Sequence, residues 1–391
     1  MPIDLERLRR DTPGVAHRVH LNNAGAGLMP APVLDAMVGY LQREARIGGY
    51  EAAYEASAAI EGVYDSVARL VGASRDEIAL TENATVAWQM AFYAFTFRAG
   101  DRILTARAEY AANYVAFLQV AQRTGAVIEV IPDDAQGVLD PEALERMIDG
   151  RVRLIAVTWM PTNSGLVNPA AAVGKIARAH GIPFLLDACQ AVGQVPIDVQ
   201  ALGCDMLSAT GRKFLRGPRG TGFLYVRREW LSRLEPPMID HFGAPWVAPD
   251  RYELRPDARR FETWENNYAA RLGLGTAVDY ALEIGLADIE ARCTALAAEL
   301  RELLARIPGV TLHDPGRHLS AIVSFSVKGR EAAGVNLQLL KAGLNVSHSK
   351  PSSTLLDAVA RALPTVLRAS PHCYNTSAVL EALAAAIRAL A

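Results

Sequence analysis

Short apolar segments alternate with segments of helical periodicity from about residue 77 to residue 187. Apolar runs of four to seven residues favour buried strands, and apolar positions spaced three and four apart favour amphipathic helices. Repeated alternation of the two predicts a mostly parallel sheet covered by helices on both faces. The predicted strands are 78–81, 102–105, 127–131, 154–160 and 183–187, and the predicted helices are 85–98, 111–124, 141–148 and 169–180.

The pattern changes after Val226. Residues 230–260 are rich in proline, aromatic and charged residues and are predicted to form loops, and a long amphipathic helix begins at about Ala269. The remaining pattern predicts a small α+β domain that the N-terminal residues join. A chain of 391 residues also favours more than one core. We therefore predict a large domain, 18–268, and a small domain made of 269–391 together with 1–17.

A single lysine, Lys213, stands between a polar turn and a glycine-rich loop that leads into another apolar run. A lysine in this position binds phosphate as a point charge or forms a Schiff base with an aldehyde. The spacing of a phosphate-binding loop is absent. The dinucleotide-binding pattern fails because Pro218 and Arg219 replace its first glycines. Two interpretations of Lys213 therefore stay open: it forms a Schiff base, or it is an ordinary surface lysine.

The apolar run before this turn ends in Asp187, followed by Ala188, Cys189 and Gln190. An enzyme that uses pyridoxal 5'-phosphate (PLP) needs a lysine for the aldehyde and an acid for the ring nitrogen. Both residues follow predicted strands, at the edge where α/β sheets bind ligands. Alone, Asp187 would be a strand-end cap. As a pair, Lys213 and Asp187 predict a PLP site.

The sequences Asp-Ala-x-Gln, ending at Gln190, and Ser-x-Thr-Gly-x-Lys, ending at Lys213, resemble those of class V aminotransferases, in the branch of cysteine desulfurases and related C–S lyases. The resemblance runs from about Leu21 to the C-terminal helix. It implies a fold-type I PLP enzyme, with a mostly parallel sheet in the large domain and an α+β small domain. It also implies an α-amino acid substrate and a homodimer with the site near the interface.

The resemblance implies cofactor-binding residues that follow strands or open helices: Ala84, Thr85, Tyr110, Asn163, Asp187, Gln190, Thr210, Arg212 and Lys213. Thr85 opens a helix whose backbone N–H groups favour an anion, so the phosphate is expected there, with a plain helix cap as the alternative. Asn163 or its neighbour Thr162, together with Gln190, is expected near the ring's phenolic oxygen. Lys213, Asp187 and Tyr110 are the implied catalytic residues.

Arg368 is the implied partner of the substrate carboxylate, because a guanidinium makes a planar two-point contact with that group. A structural ion pair is its alternative role. The small-residue turn Asn23, Ala24 and Gly25 is implied to lie beside the substrate, with an ordinary strand-to-helix turn as the alternative.

The chain departs from the resembled pattern at three places. Tyr110 stands where related desulfurases have a histidine that stacks on the ring, so a π face is kept but the imidazole is lost. Glu265 stands where a threonine reaches the partner's phosphate. Ser352 and Ser353 lie in the stretch where desulfurases carry their nucleophilic cysteine.

Composition and charge bear on the binding partners, the metal or disulfide sites and the compartment of the protein. The formal net charge is −2 and the pI is about 6.5, which gives no electrostatic case for nucleic acid. Four scattered cysteines without a C-x-x-C pair predict neither metal nor disulfide and fit a reducing cytoplasm. No membrane span or secretory signal is predicted.

The four cysteines are predicted to have no catalytic role. Strand alternation predicts that the Cys189 side chain points away from the one Asp187 offers to the cofactor. Cys204 and Cys293 are predicted to be packed thiols, and Cys373 alone is expected near a ligand residue. We therefore predict β-elimination from a cysteine derivative, a C–S lyase. Transamination or epimerisation is the alternative, and a catalytically silent scaffold with this fold is the third.

Overall fold

The computed structural model describes residues 3–391. Its strands are β1 Val19–His20, β2 Ile78–Thr81, β3 Arg102–Thr105, β4 Val127–Val130, β5 Val152–Thr158, β6 Phe184–Asp187, β7 Met206–Thr210, β8 Gly222–Val226, β9 Trp246–Ala248, β10 Arg251–Tyr252, β11 Val310–Leu312, β12 Val323–Val327, β13 Leu344–Asn345, β14 Ser347–Ser349 and β15 Val366–Ala369. Its helices are α1 Leu5–Arg10, α2 Ala31–Ile47, α3 Gly49–Glu55, α4 Ser57–Val71, α5 Ala84–Phe92, α6 Ala111–Thr124, α7 Pro141–Met147, α8 Ala170–Ala179, α9 Val199–Leu202, α10 Arg228–Leu231, α11 Tyr268–Ile284, α12 Leu286–Ala305, α13 Ala332–Lys341, α14 Leu355–Ala360 and α15 Ser377–Leu390.

A seven-stranded sheet forms the centre of the molecule, in the order β2-β8-β7-β6-β5-β3-β4. Strand β8 is antiparallel to both of its neighbours, and the other neighbouring strands are parallel. The mostly parallel sheet predicted from the alternating pattern is confirmed. Because β5, β6 and β7 run in the same direction, their carboxyl ends lie at one edge, where a ligand site is expected.

Both faces of this sheet are buried. Consecutive residues of a strand enter different apolar clusters: Leu185 packs with Trp88 and Phe117 on one face, and Leu186 packs with Tyr64 and Val278 on the other. The alternation follows from the pleat, which points successive side chains to opposite faces. Burial on both faces explains why these strands read as continuous apolar runs.

A second sheet carries the order β11-β12-β15-β14, with every pairing antiparallel. Arg368 lies in β15, between Ser324 of β12 and Ser347 of β14. Strand β1 pairs in parallel with β13, so a segment near the N-terminus joins a late part of the chain.

Two expectations about local structure are wrong. The single long helix expected from Ala269 is two helices, α11 and α12, because Gly285 between them has a φ of 94°, which favours glycine. The region 230–260, expected to be loops, contains the hairpin β9–β10. None of the helices between residues 3 and 391 combines the length and the apolarity needed to cross a membrane.

Candidate active site

A cavity of about 440 Å³ lies where β6 and β7 end and α5 and α6 begin. Seven residues expected to bind the cofactor or to catalyse the reaction line it: Ala84, Thr85, Tyr110, Asp187, Thr210, Arg212 and Lys213. The strand-end placement follows from the parallel sheet, which gathers residues far apart in the sequence at one edge.

One end of the cavity is suited to an anion. Helix α5 begins at Ala84, and the first N–H groups of a helix have no acceptor within the helix. Asn83 caps it by accepting a hydrogen bond from Val86 N at 3.0 Å. The cap predicted as an alternative therefore exists at Asn83, and Thr85 lines the cavity beside it. Arg212 adds a positive charge at the same cavity.

Asp187 closes β6 and is held from two sides. Its Oδ1 accepts a hydrogen bond from Cys189 N at 2.9 Å, and its Oδ2 accepts one from Asn113 Nδ2 at 3.0 Å. The carboxylate is buried but lines the cavity. A fixed carboxylate here can pair with a cationic ring nitrogen.

Lys213 follows β7 in a turn that its neighbours hold in place. Arg216 N donates to the Lys213 carbonyl at 3.0 Å, and His372 Nε2 lies 2.7 Å from the Phe214 carbonyl. Burial lowers the pKa of the Lys213 amine, and the nearby Arg212 and Arg368 lower it further against the opposing effect of Cys189 and Asp187. A lowered pKa favours the neutral amine, which is the form that attacks an aldehyde or accepts a proton.

Arg368 has no acidic partner within the described part of the chain. Its Nε donates to Ser347 Oγ at 3.1 Å, and its Nη1 donates to the Thr162 carbonyl at 3.0 Å and to the Thr162 hydroxyl. Burial, helped by Arg212, lowers its pKa to about 10. The structural ion pair considered as its alternative role is therefore not formed between residues 3 and 391.

Neither Thr162 nor Asn163 lines the cavity, but Thr162 contacts other expected site residues and Asn163 does not. Asn163 Nδ2 donates to the Lys350 carbonyl at 3.2 Å, and its Oδ1 accepts a hydrogen bond from Ser349. Asn163 thus faces the second sheet, outside the cavity, because the turn after β5 directs it toward β14. Thr162 contacts Arg368 and lies 3.5 Å from Gln190 Nε2.

The turn Asn23 to Gly25 is joined to the site mainly by its backbone. The Ala24 carbonyl accepts a hydrogen bond from Gln190 Nε2 at 3.2 Å, and the Gly25 carbonyl accepts one from Arg212. The Asn23 side chain donates to the Ser370 carbonyl at 2.7 Å and accepts from Tyr374 Oη at 2.6 Å. Protein partners therefore occupy both ends of the Asn23 amide.

The expectations about two cysteines are wrong. Cys189 lines the cavity with Lys213 instead of pointing away from it, because β6 ends at Asp187 and strand alternation does not extend into the following turn. Cys373 is fully buried and contacts His372 Nδ1, so it is not the one thiol close to the site. Burial and the neighbouring Asp187 raise the pKa of the Cys189 thiol.

Tyr110 caps the start of α6 and lines the cavity, and its ring is partly exposed. Burial, Cys189 and Asp187 raise its phenol pKa, so it offers a neutral aromatic face.

Glu265 does not line this cavity. It lines a separate cavity, together with Thr81, Gly220 and Asn267.

The sequence did not single out Asn113 or Glu109 as site residues. Asn113 lies one turn into α6, three residues after Tyr110, and its position on that first turn was the available signal. Its amide also donates to Glu109, at 2.8 Å.

The residues present fit PLP. An anion-binding helix start with Arg212, a fixed carboxylate at Asp187 and an amine at Lys213 match the phosphate, the ring nitrogen and the aldehyde of the cofactor. Gln190 does not line the cavity, but its Oε1 is buried without a hydrogen-bond partner among residues 3–391.

Comparison with known proteins gives the same assignment. The family model for class V aminotransferases matches residues 19–383. A probable cysteine desulfurase of Methanothermobacter thermautotrophicus is 30% identical over 99% of this chain and 98% of its own. The apo cysteine desulfurase of Thermococcus onnurineus superposes with a TM-score of 0.92 at 28% identity, covering 100% of this chain and 98% of that one.

A cystine C–S lyase in complex with cysteine persulfide has the same fold, with a TM-score of 0.87 at 21% identity, over 96% of this chain and 99% of that one. The fold-type I architecture and the PLP cofactor expected from the sequence are confirmed. The chain therefore belongs to the class V aminotransferase family and is a PLP-dependent enzyme.

Proposed function

We propose that this enzyme is a C–S lyase that acts on a cysteine derivative by β-elimination. The observation that carries the proposal concerns Cys189, the one cysteine among residues 3–391 that lines the cavity. The Cys189 thiol has a raised pKa, and a protonated thiol is a poor nucleophile. Ser352 and Ser353 lie in the 3₁₀ turn Pro351–Thr354. The sequence resemblance implies that this is the stretch in which desulfurases carry their nucleophilic cysteine. The similarity to cysteine desulfurases supports a cysteine-type substrate.

Each cavity residue has one proposed task. PLP supplies an electron sink for the negative charge that develops at the substrate Cα. Lys213 is the attachment point for the cofactor aldehyde and then the base whose Nζ takes the α-proton. Asp187 keeps the ring nitrogen protonated, and Tyr110 covers one face of the ring. Thr85 and Arg212 hold the phosphate, helped by the first N–H groups of α5 and by Thr210.

The reaction needs no sulfur-carrying residue. After Lys213 removes the α-proton, the Cβ–S bond breaks and sulfur leaves with the bonding electrons. The three-carbon fragment hydrolyses to pyruvate and ammonia. A desulfurase would instead transfer sulfur to a protein thiolate and release alanine, which requires an accessible, ionised cysteine.

The products test this proposal. With a cysteine-type substrate we expect pyruvate, ammonia and a thiol or sulfide. We expect turnover of the Cys189→Ser and Cys373→Ser variants to stay within several-fold of wild type, since neither thiol takes part. Product analysis with intact-mass measurement of the protein makes the distinction. Alanine together with one added sulfur atom on Cys189 or Cys373 would overturn the lyase and favour the desulfurase.

The alternatives share the first step. An aminotransferase would release a keto acid, and an epimerase would release a D-amino acid, so the same assay separates both from the lyase. A silent scaffold is opposed by the intact set of Lys213, Asp187 and Arg368. A purified protein without PLP absorbance would support the scaffold.

We predict that Asp187→Asn lowers turnover by about two orders of magnitude, because a neutral amide no longer holds the proton on the ring nitrogen. PLP should bind more weakly to this variant, and its content should be retained when PLP is supplied in excess. The measurement is the rate of α-proton exchange into solvent deuterium. Asp198→Asn is the matched control, since asparagine keeps the helix cap that Asp198 makes at α9. An unchanged exchange rate in Asp187→Asn would refute the role of Asp187.

We also propose that the enzyme is a cytoplasmic homodimer. Tyr50 and Tyr54 are 80% and 84% exposed, and with Trp264 they line a cavity of about 500 Å³. Large exposed aromatic surfaces mark interaction sites. The neighbouring Glu265 and Asn266 also line the cavity that contains Thr81, which lies three residues before the start of α5. The proposed occupant of the cavity beside Tyr50 and Tyr54 is a second copy of the chain. The cysteines are scattered in the sequence, which supports the cytoplasm as the compartment.

A further inference from the structure

Glu109 is a buried carboxylate that none of the proposed tasks uses. It follows β3 and is 3% exposed. Its Oε1 lies 2.8 Å from Asn113 Nδ2, and the same Nδ2 lies 3.0 Å from Asp187 Oδ2. An amide nitrogen has two hydrogens, and here each goes to a different carboxylate. Asn113 therefore connects Glu109 to the acid that faces the ring nitrogen.

The Glu109 carboxylate is itself rigidly held. Its oxygens accept hydrogen bonds from the Thr158 backbone N at 2.9 Å, from the Tyr110 backbone N at 2.9 Å and from the Thr158 hydroxyl. Thr105 Oγ1 donates to it at 3.1 Å. Thr158 pairs directly with Asp187 in the β5–β6 ladder. The network therefore fixes Glu109 relative to the strand that carries Asp187.

We propose that Glu109 is a positioning residue which, through the Asn113 amide, orients the Asp187 carboxylate toward the ring nitrogen of the cofactor. The proposal rests on the role proposed above for Asp187. Because the Asn113 hydrogen occupies Asp187 Oδ2 from one side and Cys189 N occupies Oδ1, the carboxylate has one fixed plane. Without Glu109, the Asn113 amide could rotate, and the Asp187 carboxylate would lose its fixed orientation.

The ionisable group of Glu109 is more than a purely structural role needs. Burial raises its pKa to about 7, against the hydrogen bonds from Thr158 and Asn113, and the nearby Asp187 raises it further. When Glu109 is ionised, two carboxylates share one amide, and their negative potential adds at Asp187. A neutral glutamine would fill the same volume without that cost. The arrangement favours a proton on any basic nitrogen that faces Asp187.

The test compares two ligands on the apoprotein. One is PLP, and the other is the analogue in which C–H replaces the ring nitrogen, so that Asp187 has nothing to pair with. Dissociation constants are measured for wild type, Glu109→Gln and Asn113→Ala. Thr105→Val is the matched control, because it removes one hydrogen bond to Glu109 and leaves the Asn113 bridge intact. No substrate is present, so the lyase proposal can fail independently.

We expect both bridge variants to bind PLP about tenfold more weakly, the scale of a lost charge-assisted hydrogen bond, and to bind the analogue with little change. The control should keep the wild-type ratio of the two constants. Equal weakening of both ligands would make Glu109 merely structural, and no weakening of PLP would exclude the positioning role. Asn113→Ala carries the test if Glu109→Gln fails to fold. A wild type that binds both ligands equally would remove the role of Asp187 and this inference with it.

Discussion

We expect turnover to fall by at least about three orders of magnitude when Lys213 is replaced by alanine, because the variant would lose both the proposed attachment point for the cofactor and the proposed base for the α-proton. The position supports both tasks: the amine is buried at the end of β7, and its pKa is lowered by that burial and by Arg212 and Arg368. No other lysine lines the cavity among the described residues.

Borohydride reduction of the holoenzyme, followed by peptide mapping, tests the attachment point directly. The label should lie on the peptide that contains Lys213 and should be absent from the Lys213→Ala variant. Lys350→Ala is the matched control, because the Lys350 side chain is exposed and only its backbone carbonyl contacts Asn163. A label on Lys350 or another lysine would refute the assignment.

The second large effect is expected at Arg368. Arg368→Lys keeps a positive charge but loses the planar fork, so kcat/KM for α-amino acids should fall about a hundredfold while PLP content changes little. The physical reason is a buried guanidinium that lacks an acidic partner within residues 3–391 and contacts only hydroxyl and carbonyl groups. Such a group is stabilised by an incoming carboxylate.

Steady-state kinetics on substrates with and without the α-carboxylate provide the check. Wild type should strongly prefer the carboxylate, and Arg368→Lys should lose most of that preference. Ser347→Ala is the control, since it removes one hydrogen bond to Arg368 Nε and leaves the guanidinium in place. If wild type turned over both kinds of substrate equally well, Arg368 would not bind the carboxylate.

The sequence predicted those parts of the fold and site that depend on local pattern. Apolar runs bounded by turns located β2 and β3 at the observed residues, because strands buried on both faces leave a continuous apolar signal. Lys213 and Asp187 were identifiable because Asp187 ends such a strand and Lys213 lies three residues beyond another. The parallel sheet then brings them to one cavity without further information.

What the sequence missed depends on turns and on contacts between distant segments. Cys189 was assigned by strand alternation, which stops at Asp187, and the choice between Thr162 and Asn163 depended on the direction of a turn toward β14. For Asn113 the only signal was its place on the first turn of α6, and Glu109 gave none, because their role arises from the hydrogen bonds that join Glu109, Asn113 and Asp187. Side-chain direction outside regular elements is set by tertiary packing, which a single sequence does not display.

The hydrogen bonds that join Asn23 to Tyr374 and Ser370 have a consequence for biosynthesis. The turn that contacts Arg212 and Gln190 is synthesised before the central sheet, whereas the segment that fixes it is synthesised after that sheet. Closing so long a loop adds little entropic cost beyond that of a shorter one, because the cost grows with the logarithm of length. The nascent chain can therefore complete the central sheet first, and the hydrogen bonds that fix the turn at Asn23 form afterwards.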